Sequence, residues 1–173
     1  MLDESPVSHL LSRISRFFSS PDEALPINSP IPTVTLPDES GNPVNLAATS
    51  SGWLLVYFYP RADTPGCTRQ ACSLRDSYAE LLDHGVQVFG VSLDSVSRQK
   101  RFRDKYHLPF PLLADTDGRL AKAFGVPTSF GFSRRQAFLF RAGRLVWRDL
   151  AAATDQQAAD VMEALRKYND GSH

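Results

Sequence analysis

Two apolar segments on either side of an amphipathic one constrain the fold of this chain more than any other feature. Trp53–Tyr59 is apolar throughout and is closed by Pro60, which indicates a strand buried on both faces. From about Thr68 to His84 the apolar residues recur on one helical face, and Gly85 follows where a left-handed residue is favoured. Val86–Leu93 is a second buried run. This alternation predicts an α/β protein.

The remaining segments extend this pattern into a larger sheet. A proline-rich stretch leads into a short edge strand near Pro32–Leu36, which pairs across a turn with Val44–Leu46. The later predicted elements are a helix Ser95–Tyr106, a strand Leu112–Ala114, a helix Leu120–Phe124, a hairpin of Ala137–Arg141 with Leu145–Asp149, and a last helix from Thr154 with a capping box completed by Gln157. The order predicts a central mixed sheet with helices on both faces, which fits a thioredoxin-like fold.

The chain is expected to form one domain over residues 26–173, preceded by an N-terminal extension, residues 1–25. A chain of 173 residues suits a single compact core. Leucine, isoleucine and phenylalanine side chains between residues 10 and 18 recur at helical spacing, which predicts an amphipathic helix. Its role stays open between packing on the body or on a partner subunit, contact with a membrane surface, and targeting. Asp3 and Glu4 argue against a transit peptide.

Charge and composition exclude several classes of function. The 19 basic and 19 acidic residues cancel, and no stripe of one sign stands out, so no nucleic-acid partner is expected. The longest apolar run is too short to span a bilayer. Two cysteines close together favour a cytoplasmic redox site over a secreted disulfide scaffold. No metal site or cofactor is expected, since the four histidines are scattered: His9, His84, His107 and His173.

The two cysteines, Cys67 and Cys72, lie where the first buried strand gives way to the helix. A thiol at a helix N-terminus is surrounded by unpaired backbone N–H groups at the positive end of the helix dipole, which favours the thiolate. A second thiol nearby is the minimum equipment for reversible redox chemistry. The pattern therefore predicts a redox-active pair with Cys67 as the more reactive thiol.

The segment Phe58–Thr68, with Pro60, Thr64 and Cys67 in a Pro-x-x-x-Thr-x-x-Cys spacing, resembles the active-site stretch of peroxiredoxins. The continuation Ala71–Asp76 resembles the bacterioferritin-comigratory, or Q-type, branch. Further similar segments are Phe110–Asp115, Phe124–Val126 and Arg135 ahead of Ala137–Leu139, so that the resemblance covers about Pro30 to Tyr168. The chain departs from the branch at Gln70, where Glu is more frequent, and at Leu74, Ala137 and Arg141.

The resemblance implies a thiol peroxidase for hydrogen peroxide and small organic hydroperoxides. Cys67 is the implied peroxidatic residue, which becomes a sulfenic acid, and Cys72 is the implied resolving residue, which closes an intramolecular disulfide. Thioredoxin is the implied reductant, with glutaredoxin as the alternative. The branch is often monomeric, so we expect a monomer or a weak dimer.

The resemblance also implies roles for residues around the thiol. Arg135 is expected to stabilise the thiolate and to position the peroxide, since a guanidinium offers fixed donors and a permanent charge. The Thr64 hydroxyl is expected to accept the peroxide proton while donating its own to the thiolate. Pro60 and Gly66 are expected to contribute to the substrate site, Pro60 by stiffening the loop and Gly66 through its backbone N–H.

Helix geometry predicts a conformational change between Cys67 and Cys72. Five residues along an ideal helix separate two Cα atoms by roughly 8.6 Å, beyond the roughly 7 Å that a disulfide tolerates. We therefore predict that the first turns, about Thr68 to Leu74, unwind in each cycle.

Two other functions remain open. A peroxide sensor or holdase would use the same thiol chemistry for signalling. A dithiol–disulfide oxidoreductase would share the fold, but the four residues between Cys67 and Cys72 oppose it, since that class has a Cys-x-x-Cys spacing.

Overall fold

The computed structural model describes residues 23–49 and 52–171. The strands are β1 (Thr35–Pro37), β2 (Pro43–Asn45), β3 (Trp53–Phe58), β4 (Val86–Ser92), β5 (Leu112–Ala114), β6 (Thr128–Ser129), β7 (Phe132–Ser133), β8 (Gln136–Arg141) and β9 (Arg144–Asp149). The helices are α1 (Leu46–Thr49), α2 (Pro65–Asp76), α3 (Tyr78–Asp83), α4 (Val96–Tyr106), α5 (Arg119–Phe124) and α6 (Gln157–Asn169).

The central sheet has five strands in the order β5-β4-β3-β8-β9. Strand β3 pairs parallel with β4 and antiparallel with β8, and the outer pairs β4–β5 and β8–β9 are parallel and antiparallel respectively. The predicted mixed sheet is therefore confirmed. In its middle Tyr57 lies opposite Gly90, and a Cβ added at Gly90 would lie 2.9 Å from the Tyr57 ring. The glycine makes room for that ring.

The sheet separates two hydrophobic cores, because successive side chains of a strand point to opposite faces. Trp53, Leu55, Tyr57 and Tyr59 face α2, α4 and α6, and we call this side the first core. Leu54, Val56 and Phe58 face α5 and β1 on the other side, which we call the second core. Helices on both faces were predicted, and every residue of β3 is buried, as expected of its uninterrupted apolar run.

The single helix predicted over Thr68–His84 is wrong in its start and in its continuity. Helix α2 begins three residues earlier because Thr64 takes the N-cap position with extended backbone and Pro65 takes the first helical position, which proline favours. The chain then leaves helical geometry at Ser77 and restarts as α3. The break brings the ring of Tyr78, the first residue of α3, to 5.8 Å from that of Phe110.

The capping box predicted at Thr154 is also wrong. Helix α6 begins at Gln157, Gln156 takes the N-cap position, and no side chain caps the helix. The Gln157 side chain instead turns into the protein, where it contacts Gln70 of α2. A buried partner from a distant part of the chain replaces the local capping interaction.

The other predicted elements are confirmed with small shifts at their ends. The edge strands β1 and β2 form a separate two-stranded sheet a few residues from the predicted positions. Helix α1 and the small β6–β7 hairpin were not predicted.

The predicted helix of the N-terminal extension falls largely on residues 1–22, which lie outside the described residues. Where the described chain begins, Leu25 donates to the Phe124 carbonyl at 2.9 Å, and Arg148 donates to the Leu25 carbonyl at 2.6 Å. The domain boundary at residue 25 stays a prediction. Within residues 23–49 and 52–171, no helix is long and apolar enough to cross a membrane.

Candidate active site

The loop after β3 delivers Cys67 to the first turn of α2. Thr64 is the N-cap residue, so Cys67 is the third residue of the helix, among the backbone N–H groups that lack a partner within the helix. Its side chain is almost completely buried, with 1% of its surface exposed. The position that the sequence predicts to favour a thiolate is therefore occupied by a thiol that little water reaches.

Arg135 reaches the sulfur from the segment that precedes β8. Its Nη2 donates to Cys67 Sγ at 3.5 Å. Gly66 lies beside the guanidinium, and a Cβ added there would lie 3.0 Å from Nη2 and 3.3 Å from a methyl carbon of Thr154. Arg135, Gly66 and Cys67, which the resemblance assigns to one site, thus lie together, and a side chain at position 66 would push the guanidinium away.

Two buried glutamines continue the contact on the other side of the guanidinium. Arg135 Nη1 donates to Gln70 Oε1 at 2.6 Å, and Gln70 Nε2 donates to Gln157 Oε1 at 2.7 Å. Both glutamines are fully buried. No ion pair of Arg135 with a carboxylate occurs among the described residues, so its guanidinium contacts the sulfur and the neutral amide of Gln70.

Helix α4 fixes the loop that precedes Cys67. The Ala62 N–H donates to Asp94 Oδ2 at 2.7 Å, and the Ala62 carbonyl accepts from Arg98 at 3.3 Å, while Arg98 and Asp94 are themselves 3.1 Å apart. The two peptide groups that flank the Cα atom of Ala62 are therefore held by the two members of one ion pair.

Asp63, the next residue, has a left-handed backbone with φ of 60°. Its carboxylate accepts from Lys105 Nζ at 3.0 Å and from the Tyr106 hydroxyl at 2.8 Å, and these two hydrogen bonds lower the pKa of Asp63. Together with the hydrogen bonds to Ala62, they fix the backbone that leads into α2 before any substrate binds.

The structure places the other predicted site residues with fewer contacts to the sulfur. The Thr64 hydroxyl donates to the Arg61 carbonyl at 2.8 Å, so it is engaged locally rather than with Cys67. Pro60 is half-buried at the end of the central strand. Cys72 is half-buried further along α2, and both thiols are free. Because α2 is continuous from Pro65 to Asp76, the two cysteines lie on one intact helix.

Tyr57 lies under the site in the first core. Burial raises its pKa well above the ordinary value, and the neighbouring Tyr59 and Cys67 raise it further, while Arg135 acts in the opposite direction. Its hydroxyl has no hydrogen-bond partner within the described residues. Tyr57 therefore stays neutral and presents a polar but uncharged group to the region of the thiol.

The site is thus a buried thiol in the first turn of a helix, hydrogen-bonded to an arginine, on a mixed five-stranded sheet with helices on both faces. The model of the AhpC/TSA family matches residues 27–148, and the chain belongs to that family. The residues that resembled peroxiredoxins lie mostly within the matched segment.

Curated relatives carry peroxiredoxin names. The chain is 46% identical over 97 residues to the chloroplastic peroxiredoxin Q of Sedum lineare, an alignment that spans 56% of this chain and 52% of the relative. It is 40% identical over 103 residues to the putative peroxiredoxin bcp of Coxiella burnetii, across 60% of this chain and 68% of that protein. The chain spans about half the length of the first curated relatives that it matches.

Solved structures agree in fold over most of the chain. The peroxidoxin BcpB of Mycobacterium tuberculosis superposes with a TM-score of 0.76 at 30% identity, across 81% of this chain and 96% of that one. The bacterioferritin comigratory protein of Xanthomonas campestris, from work on its alkyl peroxide reduction activity, gives 0.75 at 29% identity, across 84% and 99%. The thioredoxin-like fold and the resemblance to the Q-type branch are thereby confirmed.

Sequence reasoning missed Gln157 as a member of the site. The sequence marks Gln70 only as a departure from the branch, and the local pattern places Gln157 in a helix cap. The available signal was weak: Gln157 precedes the apolar stripe of α6 and could point inward as easily as outward. Nothing local indicates that its partner is 87 residues away.

Proposed function

We propose that the protein is a thiol peroxidase that reduces hydrogen peroxide and organic hydroperoxides through Cys67. The observation that carries the proposal is the hydrogen bond from Arg135 to the buried Cys67 sulfur in the first turn of α2. A helix N-terminus and a guanidinium both stabilise the thiolate, which is the nucleophile. The peroxiredoxin names of the relatives and the alkyl peroxide reduction of the Xanthomonas protein support the substrate class.

In the first step the Cys67 thiolate attacks one peroxide oxygen. The O–O bond breaks, the second oxygen leaves as water or an alcohol after taking a proton, and the sulfur is oxidised to the sulfenic acid. Arg135 and the backbone N–H groups near Gly66 face the region in which negative charge develops. The Thr64 hydroxyl accepts a hydrogen bond from the peroxide O–H and, once it turns from the Arg61 carbonyl, donates its own hydrogen to the thiolate. Pro60 restricts the loop that leads to the thiol.

In the second step Cys72 attacks the sulfenic sulfur. The S–S bond forms and the hydroxyl group leaves as water, so no external oxidant is consumed. Because both cysteines lie on one intact helix, α2 must unwind over about Thr68 to Leu74 before the disulfide can close. A dithiol reductant, thioredoxin or glutaredoxin, then supplies two electrons and restores both thiols. We place this cycle in the cytoplasm, in a monomer or a weak dimer.

The test measures peroxide consumption with a thioredoxin system for the wild type, Cys67→Ser and Cys72→Ser. The mass of each protein is then determined under non-reducing conditions. We expect many turnovers in the wild type and none in Cys67→Ser. The oxidised wild type should be two hydrogens lighter, and Cys72→Ser should stop as a sulfenic acid or a mixed disulfide. If the wild type stops after one equivalent with every dithiol tried, the protein is a sensor. If it reduces insulin disulfides instead, it is a dithiol oxidoreductase.

A further inference from the structure

Gln157 lies at one end of a chain of hydrogen bonds that reaches the reactive sulfur. Its Oε1 accepts from Gln70, Gln70 accepts from one nitrogen of the Arg135 guanidinium, and the other nitrogen donates to Cys67, at 2.7, 2.6 and 3.5 Å. Gln157 opens α6, whereas Gln70 belongs to α2. The chain therefore links two helices and the segment before β8 to the sulfur.

Donor and acceptor chemistry fixes the direction of this chain. An arginine only donates, so Gln70 must turn its oxygen towards Arg135. The Gln70 NH2 group then points the other way, into a fully buried space, where it needs an acceptor. Gln157 supplies that acceptor. Without it, the orientation of Gln70 that holds Arg135 would leave a buried donor unpaired.

The arrangement does not maximise stability. Gln157 Nε2 is buried and has no hydrogen-bond partner among the residues that the structure describes. Replacing Gln157 by methionine, which has a similar length and no polar group, would remove this unpaired donor but leave the Gln70 NH2 unpaired instead. One unpaired donor is exchanged for another, so the substitution should change the position of the guanidinium far more than the stability of the fold.

The two glutamines that lead to Arg135 are also uncharged. A carboxylate at either glutamine position would hold the guanidinium equally well but would neutralise part of its charge. The neutral Gln70 amide, itself held by Gln157, binds the guanidinium by a hydrogen bond alone and leaves its charge directed at the sulfur.

We propose that Gln157 is a positioning residue for the reaction of Cys67: acting through Gln70, it holds Arg135 on the sulfur without neutralising the guanidinium. The proposal rests on the proposed function only in taking Cys67 as the reacting thiol. Its test therefore uses thiol reactivity, which is measured without peroxide or reductant.

The experiment follows alkylation of Cys67 by iodoacetamide between pH 5 and 9 in the full chain, with Cys72→Ser as the common background. For Gln157→Met we expect the rate at neutral pH to fall about threefold to tenfold, because a displaced cation loses part of the roughly 10- to 1000-fold by which a close opposite charge favours an ionised group. The pH profile should move to higher pH, while the thermal midpoint stays within about 2 °C of the background protein.

Ser73→Ala is the matched control, because Ser73 of α2 donates a 3.5 Å hydrogen bond to the carbonyl of Asp155, just before α6 begins. The substitution loosens the contact of α2 with the segment that leads into α6 without removing any hydrogen bond between Gln157 and Arg135, and it should leave the pH profile unchanged. An equal shift in both variants would overturn the proposal, since it would show a general effect of helix packing. A midpoint that falls in step with the rate in Gln157→Met would also overturn it.

A second substitution tests whether Gln157 acts through Gln70. In a Gln70→Met background the effect of Gln157→Met on alkylation should vanish, because the connection is already cut. An undiminished effect there would contradict the proposal. If alkylation follows the expected pattern but the wild type shows no peroxide turnover, the proposed function fails and the positioning role stands.

Discussion

The two cores of the sheet differ in how their helices are attached. In the second core, the ring of Phe124 in α5 packs against three other phenylalanines at centroid distances of 5.2, 5.0 and 5.8 Å: Phe58, Phe138 and Phe140. In the first core, α2 adds polar links to its apolar contacts, from Gln70 to Gln157 and from Ser73 to Asp155. One helix is fixed by apolar rings, and the other is held in part by hydrogen bonds.

Because of this difference, we expect α5 to stay in place while the first turns of α2 open. Apolar packing has no alternative partner, so moving α5 would expose ring surface to water at full cost. A hydrogen bond can be replaced by one to water when a helix turn opens, so the net cost is smaller. The proposed unwinding of α2 is therefore confined to one side of the sheet, while the other side keeps β3 and β8 in register beneath the site.

The largest expected effect is on the stability of the second core. We expect Phe124→Ala to lower the free energy of unfolding by about 3–5 kcal/mol, since it leaves a cavity among packed rings. Denaturant unfolding measures this. Phe130→Ala is the matched control, because Phe130 is 97% exposed and should change stability by less than about 0.5 kcal/mol. Similar losses in both variants would show that the ring cluster is not the rigid side.

Next in size is the effect of Arg135 on the reaction of Cys67, on the side of the sheet that holds the first core. We expect Arg135→Met to lower the second-order rate constant with peroxide by about 10²–10³, the usual cost of losing one preorganised donor at a reacting centre. Stopped-flow measurement of the first oxidation step checks this. Arg134→Met changes the exposed neighbour and should leave the rate within about twofold. An equally slow Arg134 variant would point to a general charge effect.

A smaller effect concerns the mobility of α2. In the disulfide form we expect amide hydrogen exchange over about Thr68 to Leu74 to speed up at least about tenfold, about 1.4 kcal/mol in opening free energy. The amides of β3 and α5 should keep their protection, which is the internal control. Unchanged protection of the α2 segment in reduced and oxidised protein would contradict the unwinding.

The smallest effect tests a buried charge beside the second core. Asp115 accepts from the Leu120 and Ala121 amides at the start of α5, yet burial outweighs these hydrogen bonds and raises its pKa. A raised pKa means that the folded state disfavours the charged form. The contribution of Asp115 to the free energy of unfolding is therefore largest below the unfolded pKa of about 3.9. It is lost as pH rises through the pKa of the folded state.

Asp115→Asn should remove this part of the pH dependence. The thermal midpoint of the variant should therefore rise relative to that of the wild type as pH increases from 3 to 7. Asp83→Asn, at an exposed position, is the control for the removal of one negative charge from the protein. A constant difference for Asp115→Asn would show that its pKa is not raised.

Local patterns predicted the second core and the central sheet well, because the residues within each of these elements carry the signal for it. The apolar runs of β3 and β4 and the glycine after α5 each carry their signal within a few positions. The two-residue strands around Phe130 were missed because they are too short to show any period.

The site was predicted less completely, for a physical reason. Cys67, Gly66 and the start of a helix are close in sequence, and the Thr64–Pro65 pair even contained the true start of α2, as a cap followed by a proline. Arg135 was found only through the resemblance to a family. Gln157 was assigned to a cap because its actual partner is set by the packing of α6 against α2, which no window of local sequence contains.

The hydrogen-bond chain from Cys67 to Gln157 has a consequence for the synthesis of the protein. Its members are spread over 90 positions of the chain. At about 5–20 residues per second, roughly 5 to 20 s pass between the synthesis of Cys67 and that of Gln157. If Gln157 positions Arg135 as proposed, the new cysteine lacks a guanidinium held against it during that interval. We therefore expect Cys67 of a nascent chain to react with peroxide more slowly than Cys67 of the finished protein, and to gain its full reactivity only when α6 folds.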